Sequence, residues 1–276
     1  MNLLKTKTII SLLCFCASVA TPVVSHAQSD SVFQFVKTIK GSFTYFNVDN
    51  LDNIYLLNNN QLKKITAAGD SVAVFNDVKK YGNPSYIDVT NPLKALLYYK
   101  NYSTVVMLDR FLTVRNTINF RKQNIFYVNN VTLSYDNYIW IFDEEDFKLK
   151  KIDEEGKLLQ ATTDWRLLFD SVPAPVKIVD KNNFVYLYDP ANGLYIFDYY
   201  GVFKNRLAFL NWTNVEVTGN TVYGFANNNL YSYELKSLQL KEYRLPEFFG
   251  KFITIKAMNG KVYLLNESGI DVYQIK

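Results

Sequence analysis

Short apolar and aromatic runs alternate with polar turns along most of the chain. Each run follows a polar turn and combines a β-branched or aliphatic residue with an aromatic one, as at 54–57, 138–142, 184–188, 222–225 and 262–265, with a degenerate copy at 95–99. The equivalent residues of the six runs are Tyr55, Leu97, Trp140, Tyr186, Tyr223 and Tyr263. Successive equivalents are separated by 42, 43, 46, 37 and 40 residues. Six copies at a nearly constant step predict an array of one supersecondary unit.

Each unit predicts four β-strands. An alternating strand precedes the apolar run and ends in a turn such as 49–52 or 180–182, where Asn and Asp tolerate left-handed backbone. A third strand carries the signature Leu-x-x-(Ile/Phe)-x-x-x-Gly, which ends at Gly69, Gly156 and Gly201, and a fourth strand follows. No segment shows a sustained 3.6-residue period, so long helices are not expected.

Six four-stranded units without helices predict an all-β fold, a six-bladed β-propeller of antiparallel blades. The last unit ends at Ile275 after only three strands, whereas a spare strand at 32–39 precedes the first unit. We expect this N-terminal strand to complete the last blade, because the pairing joins the two ends and covers an open sheet edge. A seventh blade would need more residues than the chain has.

The repeat resembles that of NHL and related six-bladed propellers of bacterial envelopes. The best match is the turn and strand 48–57, followed by Leu62, Ile65 and Gly69 of the second signature. The turn glycine of the family is usually Asn here, and the second unit fits poorly. The resemblance implies the propeller fold but does not choose a function, because such propellers serve as scaffolds, ligand sensors and occasionally hydrolases or lyases.

Residues 1–27 read as a secretory signal peptide. Lys5 and Lys7 precede a short apolar run, and 25–27 is a Ser-His-Ala cleavage motif. The run is shorter than the ~20 residues of a spanning helix, and neither Cys14 nor Cys16 follows a small residue as a lipidated cysteine would. These features predict a single propeller domain at 28–276 that is periplasmic or secreted and does not insert into the membrane.

The predicted mature chain has no cysteine and no histidine, because Cys14, Cys16 and His26 all precede residue 28. This composition excludes thiolate nucleophiles, Ser-His pairs and His- or Cys-based metal sites. We therefore expect no enzyme activity, no metal and no cofactor. The acidic run 143–146 could offer hard oxygens to Ca²⁺, but a solvated turn balanced by Lys148, Lys150 and Lys151 is the preferred interpretation. Without Lys5 and Lys7 the formal charge falls from +4 to +2, with dispersed basic residues, so nucleic acid is not an expected partner.

The links between successive blades contain the most suggestive surface residues. All these links emerge on one face of a propeller, and aromatic and arginine side chains dominate protein-binding hot spots. We predict a docking surface there, which draws on Tyr81, Arg121, Trp165, Arg166, Phe169, Trp212, Phe248 and Phe249. The alternative for each aromatic residue is that it fills the space between two blades.

Two classes of function stay open. The first is a non-enzymatic interaction or scaffold subunit that docks on an envelope protein, such as an outer-membrane protein. Its specific form is an accessory subunit of a translocon or transporter, for instance the subunit that closes a type IX secretion pore. The second is a glycan-binding or glycan-cleaving propeller that uses carboxylates and aromatic stacking. A carboxylate pair in a deep central pocket would favour the enzyme, whereas a filled channel and exposed apolar residues would favour docking.

Overall fold

The computed structural model describes residues 32–58 and 61–276, so the predicted signal peptide lies outside the described residues. Its 24 strands form six four-stranded antiparallel sheets. The sheets are arranged in a ring, which confirms the predicted six-bladed β-propeller. Helical structure among the described residues is confined to four short 3-10 turns, and no helix there is long and apolar enough to span a membrane.

The blades follow one another along the chain, and each begins with its innermost strand. The first blade comprises β2 (Tyr45–Val48), β3 (Ile54–Leu57), β4 (Leu62–Ile65) and β5 (Ser71–Phe75). The second comprises β6 (Tyr86–Asp88), β7 (Lys94–Tyr99), β8 (Thr104–Asp109) and β9 (Val114–Asn119). The third comprises β10 (Val128–Leu133), β11 (Ile139–Asp143), β12 (Lys148–Ile152) and β13 (Leu158–Ala161). The fourth blade comprises β14 (Lys177–Lys181), β15 (Phe184–Asp189), β16 (Gly193–Asp198) and β17 (Phe203–Leu207). The fifth comprises β18 (Thr213–Thr218), β19 (Thr221–Ala226), β20 (Asn229–Glu234) and β21 (Gln239–Arg244).

The sixth blade joins the two ends of the chain, as the sequence predicts. It comprises β22 (Thr254–Met258), β23 (Lys261–Asn266), β24 (Gly269–Ile275) and, outermost, β1 (Phe33–Lys40). The β1–β24 pairing runs from Phe33 opposite Ile275 to Lys40 opposite Gly269. Gly269 is required there, because a Cβ atom would lie 2.1 Å from the carbonyl oxygen of Ile39. The N-terminal strand therefore closes the ring.

The hydrophobic core consists of six clusters, each between two neighbouring blades. The recurring motif residues pack towards the following blade, as Tyr55 does against the second blade. One equivalence was wrong by a single residue. Leu97 packs back against the first blade, whereas Leu96 packs forward against the third. Across the first pair of strands in each blade, Leu96 lies opposite Asp88 and Tyr55 lies opposite Asn47. Leu96 is therefore the residue of the second blade that corresponds to Tyr55.

The turn glycines of the second signature occupy the predicted turns between third and fourth strands. Gly69, Gly156 and Gly201 all have positive φ angles, of 107°, 89° and 74°. In the second blade the corresponding residue is Leu112, with a φ of 58°. It tolerates this left-handed conformation while its side chain is buried between the first two blades. This replacement explains why the second unit fits the signature poorly.

The two ends of the propeller differ in the segments they carry. The connector face holds the links from each outermost strand to the next innermost strand, together with the hairpins between second and third strands. The turn face holds the hairpins between first and second strands and between third and fourth strands.

The closing strand should dominate stability. A chain that starts at Gly41 lacks β1 and exposes the edge of β24. It also loses the aromatic contacts of Phe33 with Tyr243 and Phe249, whose ring centroids lie 6.3 and 5.1 Å from that of Phe33. We expect its free energy of unfolding to fall by at least about 3 kcal/mol and the protein to associate through the open edge. Denaturant unfolding and light scattering measure both effects, and a chain that starts at Val32 is the control. Equal unfolding midpoints for the two chains would contradict the closure.

Candidate functional site

The axis of the propeller is occupied by a cluster of buried charges. The Glu216 carboxylate lies between two ammonium groups, with its Oε1 atom 2.7 Å from Lys177 Nζ and 3.7 Å from Lys256 Nζ. Lys256 Nζ also donates to Asn47 Oδ1 at 3.2 Å and to Tyr45 Oη at 3.3 Å. Innermost strands of four blades therefore meet in one ionic and hydrogen-bonded cluster. Sequence reasoning missed it, although single charges interrupt apolar innermost strands at 215–217 and 255–257.

Asp88 is the second acidic side chain on the axis, and its carboxylate is fully engaged. Its Oδ2 atom accepts hydrogen bonds from Thr132 Oγ1 at 2.9 Å and from the backbone N–H of Leu133 at 2.5 Å. Its Oδ1 atom accepts from the backbone N–H and the hydroxyl of Thr90, at 2.9 and 2.6 Å. A carboxylate with four donors has little remaining capacity to act on a substrate. Asp88 instead joins the second and third blades.

The two axial lysines have opposite pKa shifts. Burial lowers the pKa of Lys256 to about 8, with a further lowering from nearby Lys177, although Glu216 opposes the shift. Burial also acts against the charged form of Lys177, but the closer Glu216 carboxylate and Tyr45 outweigh burial and raise its pKa. The distances of 2.7 and 3.7 Å to Glu216 explain the difference, because the nearer lysine receives most of the compensation.

The space left on the axis is small. The axial cavity, lined by Tyr86, Lys177 and Glu216 among others, has a volume of about 40 Å³. Since a water molecule needs roughly 10–15 Å³, the cavity has room for a few waters but not for an organic substrate. Within the described residues, no unpartnered carboxylate pair faces it. The axial channel is therefore almost completely filled by side chains.

Four aromatic residues of the links anchor them between blades. Trp165 is fully buried and stacks on Phe197 at 5.1 Å, and its Nε1 atom donates to Thr162 Oγ1 at 3.2 Å. Trp212 stacks on Phe209 at 4.1 Å, and Phe120 is also buried. Phe249 packs in the cluster between the fifth and sixth blades. The prediction that Trp165, Trp212 and Phe249 belong to a docking surface is therefore wrong. Their large rings instead fill the space between two blades, where the twisted sheets diverge.

The other predicted residues lie at or near the surface of the connector face. Phe248 is 57% exposed, and Arg121 and Arg166 are exposed. Tyr81 and Phe169 are half-buried. Arg166 is not a free cation, since its Nε atom lies 3.0 and 3.1 Å from the two carboxylate oxygens of Asp164. This hydrogen bonding lowers the pKa of Asp164 to about 2.

Several exposed apolar side chains of the connector face were not predicted. Leu167 is 79% exposed and Ile253 is 61% exposed, although each lies within four residues of a buried aromatic anchor. Four successive links or their adjacent hairpins carry such side chains, namely Tyr102, Phe126, Tyr127, Leu167, Leu168, Val176, Leu210, Phe248 and Ile253. Aromatic and arginine residues alone do not reveal this surface; aliphatic residues beside an anchor give the additional signal. This set is called the connector patch below.

The acidic run 143–146 is neutralised from within its own blade. Lys150 Nζ lies 2.7 Å from Asp143 Oδ2 and is also bonded to Asp146. Asp143 Oδ1 accepts the backbone N–H of Glu145 at 3.0 Å, as in an ordinary Asx turn. Among the residues described here, no group of three or more His, Cys, Asp or Glu side chains is placed to hold a metal ion. The predicted balance by lysine is confirmed for Lys150, whereas Lys151 pairs with Asp136 instead and the turn is not wholly solvated, because Asp143 is buried.

Comparison with known proteins identifies no family. No protein-family model matches the chain, and no curated protein matches it. Similar solved structures include the virginiamycin B lyase of Staphylococcus aureus, with 13% identity, a TM-score of 0.55 and coverage of 84% of this chain and 80% of the lyase. Another is the β-propeller domain of Myceliophteria thermophila Cps50 (Swd1), with 8% identity, a TM-score of 0.59 and coverage of 88% and 100%.

A third similar structure is PorZ, a bacterial surface component of the type IX secretion system of Porphyromonas gingivalis. It has 11% identity and a TM-score of 0.48, with coverage of 89% of this chain and 38% of PorZ. Similarity at these identities shows the propeller fold alone, and the PorZ similarity carries no argument about function. The resemblance to NHL propellers is confirmed only for the propeller fold, and NHL membership stays a prediction.

The lowered pKa of Lys256 gives a pH-dependent stability. Because this pKa is about 8 in the folded chain and ordinarily 10.5, the unfolded state binds more protons between these values, and stability rises with pH there. We expect the free energy of unfolding to rise by about 1 kcal/mol from pH 7 to pH 9. Denaturant titrations at both pH values measure the change. The Lys256→Met variant should lose this rise while Lys177 still pairs with Glu216, and an equal rise in the variant would contradict the assignment.

Proposed function

We propose that the protein is a non-enzymatic interaction subunit that docks an envelope protein against its connector face. The observation that carries the proposal is the connector patch, because exposed apolar side chains recur on four successive links around one end of the ring. Exposed apolar side chains grouped in this way are typical of a protein-binding surface. The buried anchors below the patch hold the links in place, so docking requires little ordering of the backbone.

The arrangement of charged groups supports a role without catalysis. Each acidic side chain on the axis is paired or fully hydrogen-bonded, and the axial cavity has room for only a few waters. A His→Ala variant of the virginiamycin B lyase is catalytically inactive, whereas this chain has no histidine after His26. The residue types of the predicted mature chain and the filled channel both favour binding over chemistry.

The proposed location follows from the signal peptide predicted at 1–27. Cleavage before Gln28 would release the propeller into the periplasm or the medium, where an outer-membrane protein is the natural partner for an apolar docking face. An accessory role in a translocon or transporter, including closure of a type IX secretion pore, is the most specific form of this proposal. Mass spectrometry of the mature N-terminus tests the export step.

The docking face can be tested with charged substitutions. A Leu167→Glu/Phe248→Glu/Ile253→Glu variant places three carboxylates in the connector patch and leaves every buried anchor residue in place. We expect it to lose at least about 90% of the partner that co-purifies with the tagged wild-type protein, since a desolvated charge in an apolar interface costs several kcal/mol. Quantitative mass spectrometry of material purified from the native envelope gives the readout.

The opposite face supplies a matched control. Leu51, Leu93 and Leu238 are 64%, 58% and 69% exposed on the turn face, so their triple Glu variant carries the same added charge at similar exposure. Retention of the partner by this variant and its loss from the connector variant would support the proposal. Equal loss from both variants, or retention by both, would contradict docking through the connector face.

A further inference from the structure

A second cavity lies on the turn face, away from the connector patch. This turn-face cleft has a volume of about 300 Å³. Residues from four successive blades line it: Asn50, Thr90–Pro92, Leu133–Tyr135, Asp180–Asn183 and Tyr199. It shares Asn50, Thr90 and Lys181 with the lining of the axial cavity. Its volume is at the lower end of the range of small-molecule pockets, roughly 300–1,000 Å³. The cleft is therefore large enough for a small ligand, unlike the axis.

The aromatic wall of this cleft is held rigidly although it faces solvent. Tyr135 is 66% exposed, and its ring centroid lies 4.4 Å from that of Tyr199. The Lys151 ammonium lies 5.7 Å from the Tyr135 ring centroid and 5.3 Å from that of Tyr199. Tyr199 Oη donates to Asp180 Oδ1 at 2.5 Å. The hydrogen bond to the buried Asp180 carboxylate thus holds Tyr199, and contacts with Tyr199 and Lys151 orient Tyr135 before any ligand arrives.

Polar groups with unused hydrogen-bonding capacity line the rest of the cleft. The side chains of Asn50, Lys181 and Asn183 have no hydrogen bond or ion pair to another described residue. Asn91 uses only its Oδ1 atom, which accepts the backbone N–H of Leu93 at 2.9 Å. Asn183 has a φ of 64°, in a tight turn that fixes the direction of its backbone. An ammonium and three amides therefore line the same cleft as the fixed tyrosine rings.

We propose that the turn-face cleft binds a saccharide, with a sugar ring stacked on Tyr135 and its oxygens bonded to Asn50, Lys181 and Asn183. A rigid aromatic face and several planar amides match the two surfaces of a sugar, its C–H face and its rim of hydroxyl groups. The unpaired Lys181 ammonium suits a hydroxyl or a carboxylate oxygen. This inference is independent of the proposed docking function, because the two surfaces lie on opposite faces.

The same contacts argue against other ligand classes and against cleavage of the sugar. Lys151 already occupies the space among the rings of Tyr135, Tyr138, Trp140 and Tyr199, which excludes a cationic ligand there. The Asp180 carboxylate accepts three hydrogen bonds, from Ser134 at 2.7 Å, Trp140 at 3.0 Å and Tyr199. It has no second carboxylate beside it in the cleft lining. The cleft is thus built for binding rather than for hydrolysis.

Calorimetric titration of the chain 28–276 with chitotetraose, maltotetraose and tetragalacturonate tests the proposal. We expect at least one of these sugars to bind with a Kd below about 1 mM. The Tyr135→Ala variant should weaken that binding about tenfold through loss of the stacking surface. If the cleft selects an acidic saccharide, Lys181→Met should weaken binding of the uronate alone. If Lys181 bonds a hydroxyl group, the variant should weaken binding of neutral and acidic sugars equally.

Tyr200→Ala is the matched control, because Tyr200 is 84% exposed in the neighbouring turn but does not line the cleft. This variant should bind sugar like the wild type, and thermal melts should show that all variants fold. Asn183→Gly removes one amide while it keeps a residue that tolerates positive φ, and it should also weaken binding. Absence of binding by all three sugars at about 10 mM, or equal losses in Tyr135→Ala and Tyr200→Ala, would overturn the proposal.

Discussion

Closure of the ring by β1 is the constraint on which the other features depend. Each of the six hydrophobic clusters lies between two blades, so no blade has a complete core of its own. The pairing of Phe33–Lys40 with β24 gives the sixth blade its outermost strand from the opposite end of the chain. Because the first and last blades then share a cluster, separation of the ends would expose apolar surface on both. The links and hairpins that form the two faces keep their positions only while the ring stays closed.

The axial cluster shows how the interior of the ring is stabilised without space for chemistry. Lys177, Glu216 and Lys256 come from three consecutive blades, and burial of such charges is tolerable only because each has a partner. Loss of Glu216 would leave both ammonium groups without their shared carboxylate, so the cluster couples the blades electrostatically as the apolar clusters couple them by packing. The two proposed binding surfaces therefore lie on the outer faces. Both faces carry exposed apolar side chains, but the polar, tyrosine-lined cleft is on the turn face alone.

The fold could be predicted because its signal is periodic, whereas the site depends on contacts between distant residues. The spacing of the apolar runs predicts the six blades and the spare N-terminal strand. It points to Leu97 instead of Leu96 in the second blade, because every residue of β7 after Lys94 is apolar and the strand shows no alternation. Adjacent Phe248 and Phe249 show the limit for single residues: one is exposed and the other fills a cluster. Either position suits a phenylalanine, so the sequence cannot decide between them. Lys177 and Glu216 meet across 39 residues, which local patterns do not reveal.

Site-specific photo-crosslinking in the native envelope tests docking through the connector face most directly. A photoreactive amino acid replaces Phe248 on the connector face in one strain and Leu93 on the turn face in another, since the two side chains are 57% and 58% exposed. The account predicts a single crosslinked adduct of defined mass from position 248 and none from position 93. An adduct from position 93 alone, or equal adducts from both positions, would contradict it.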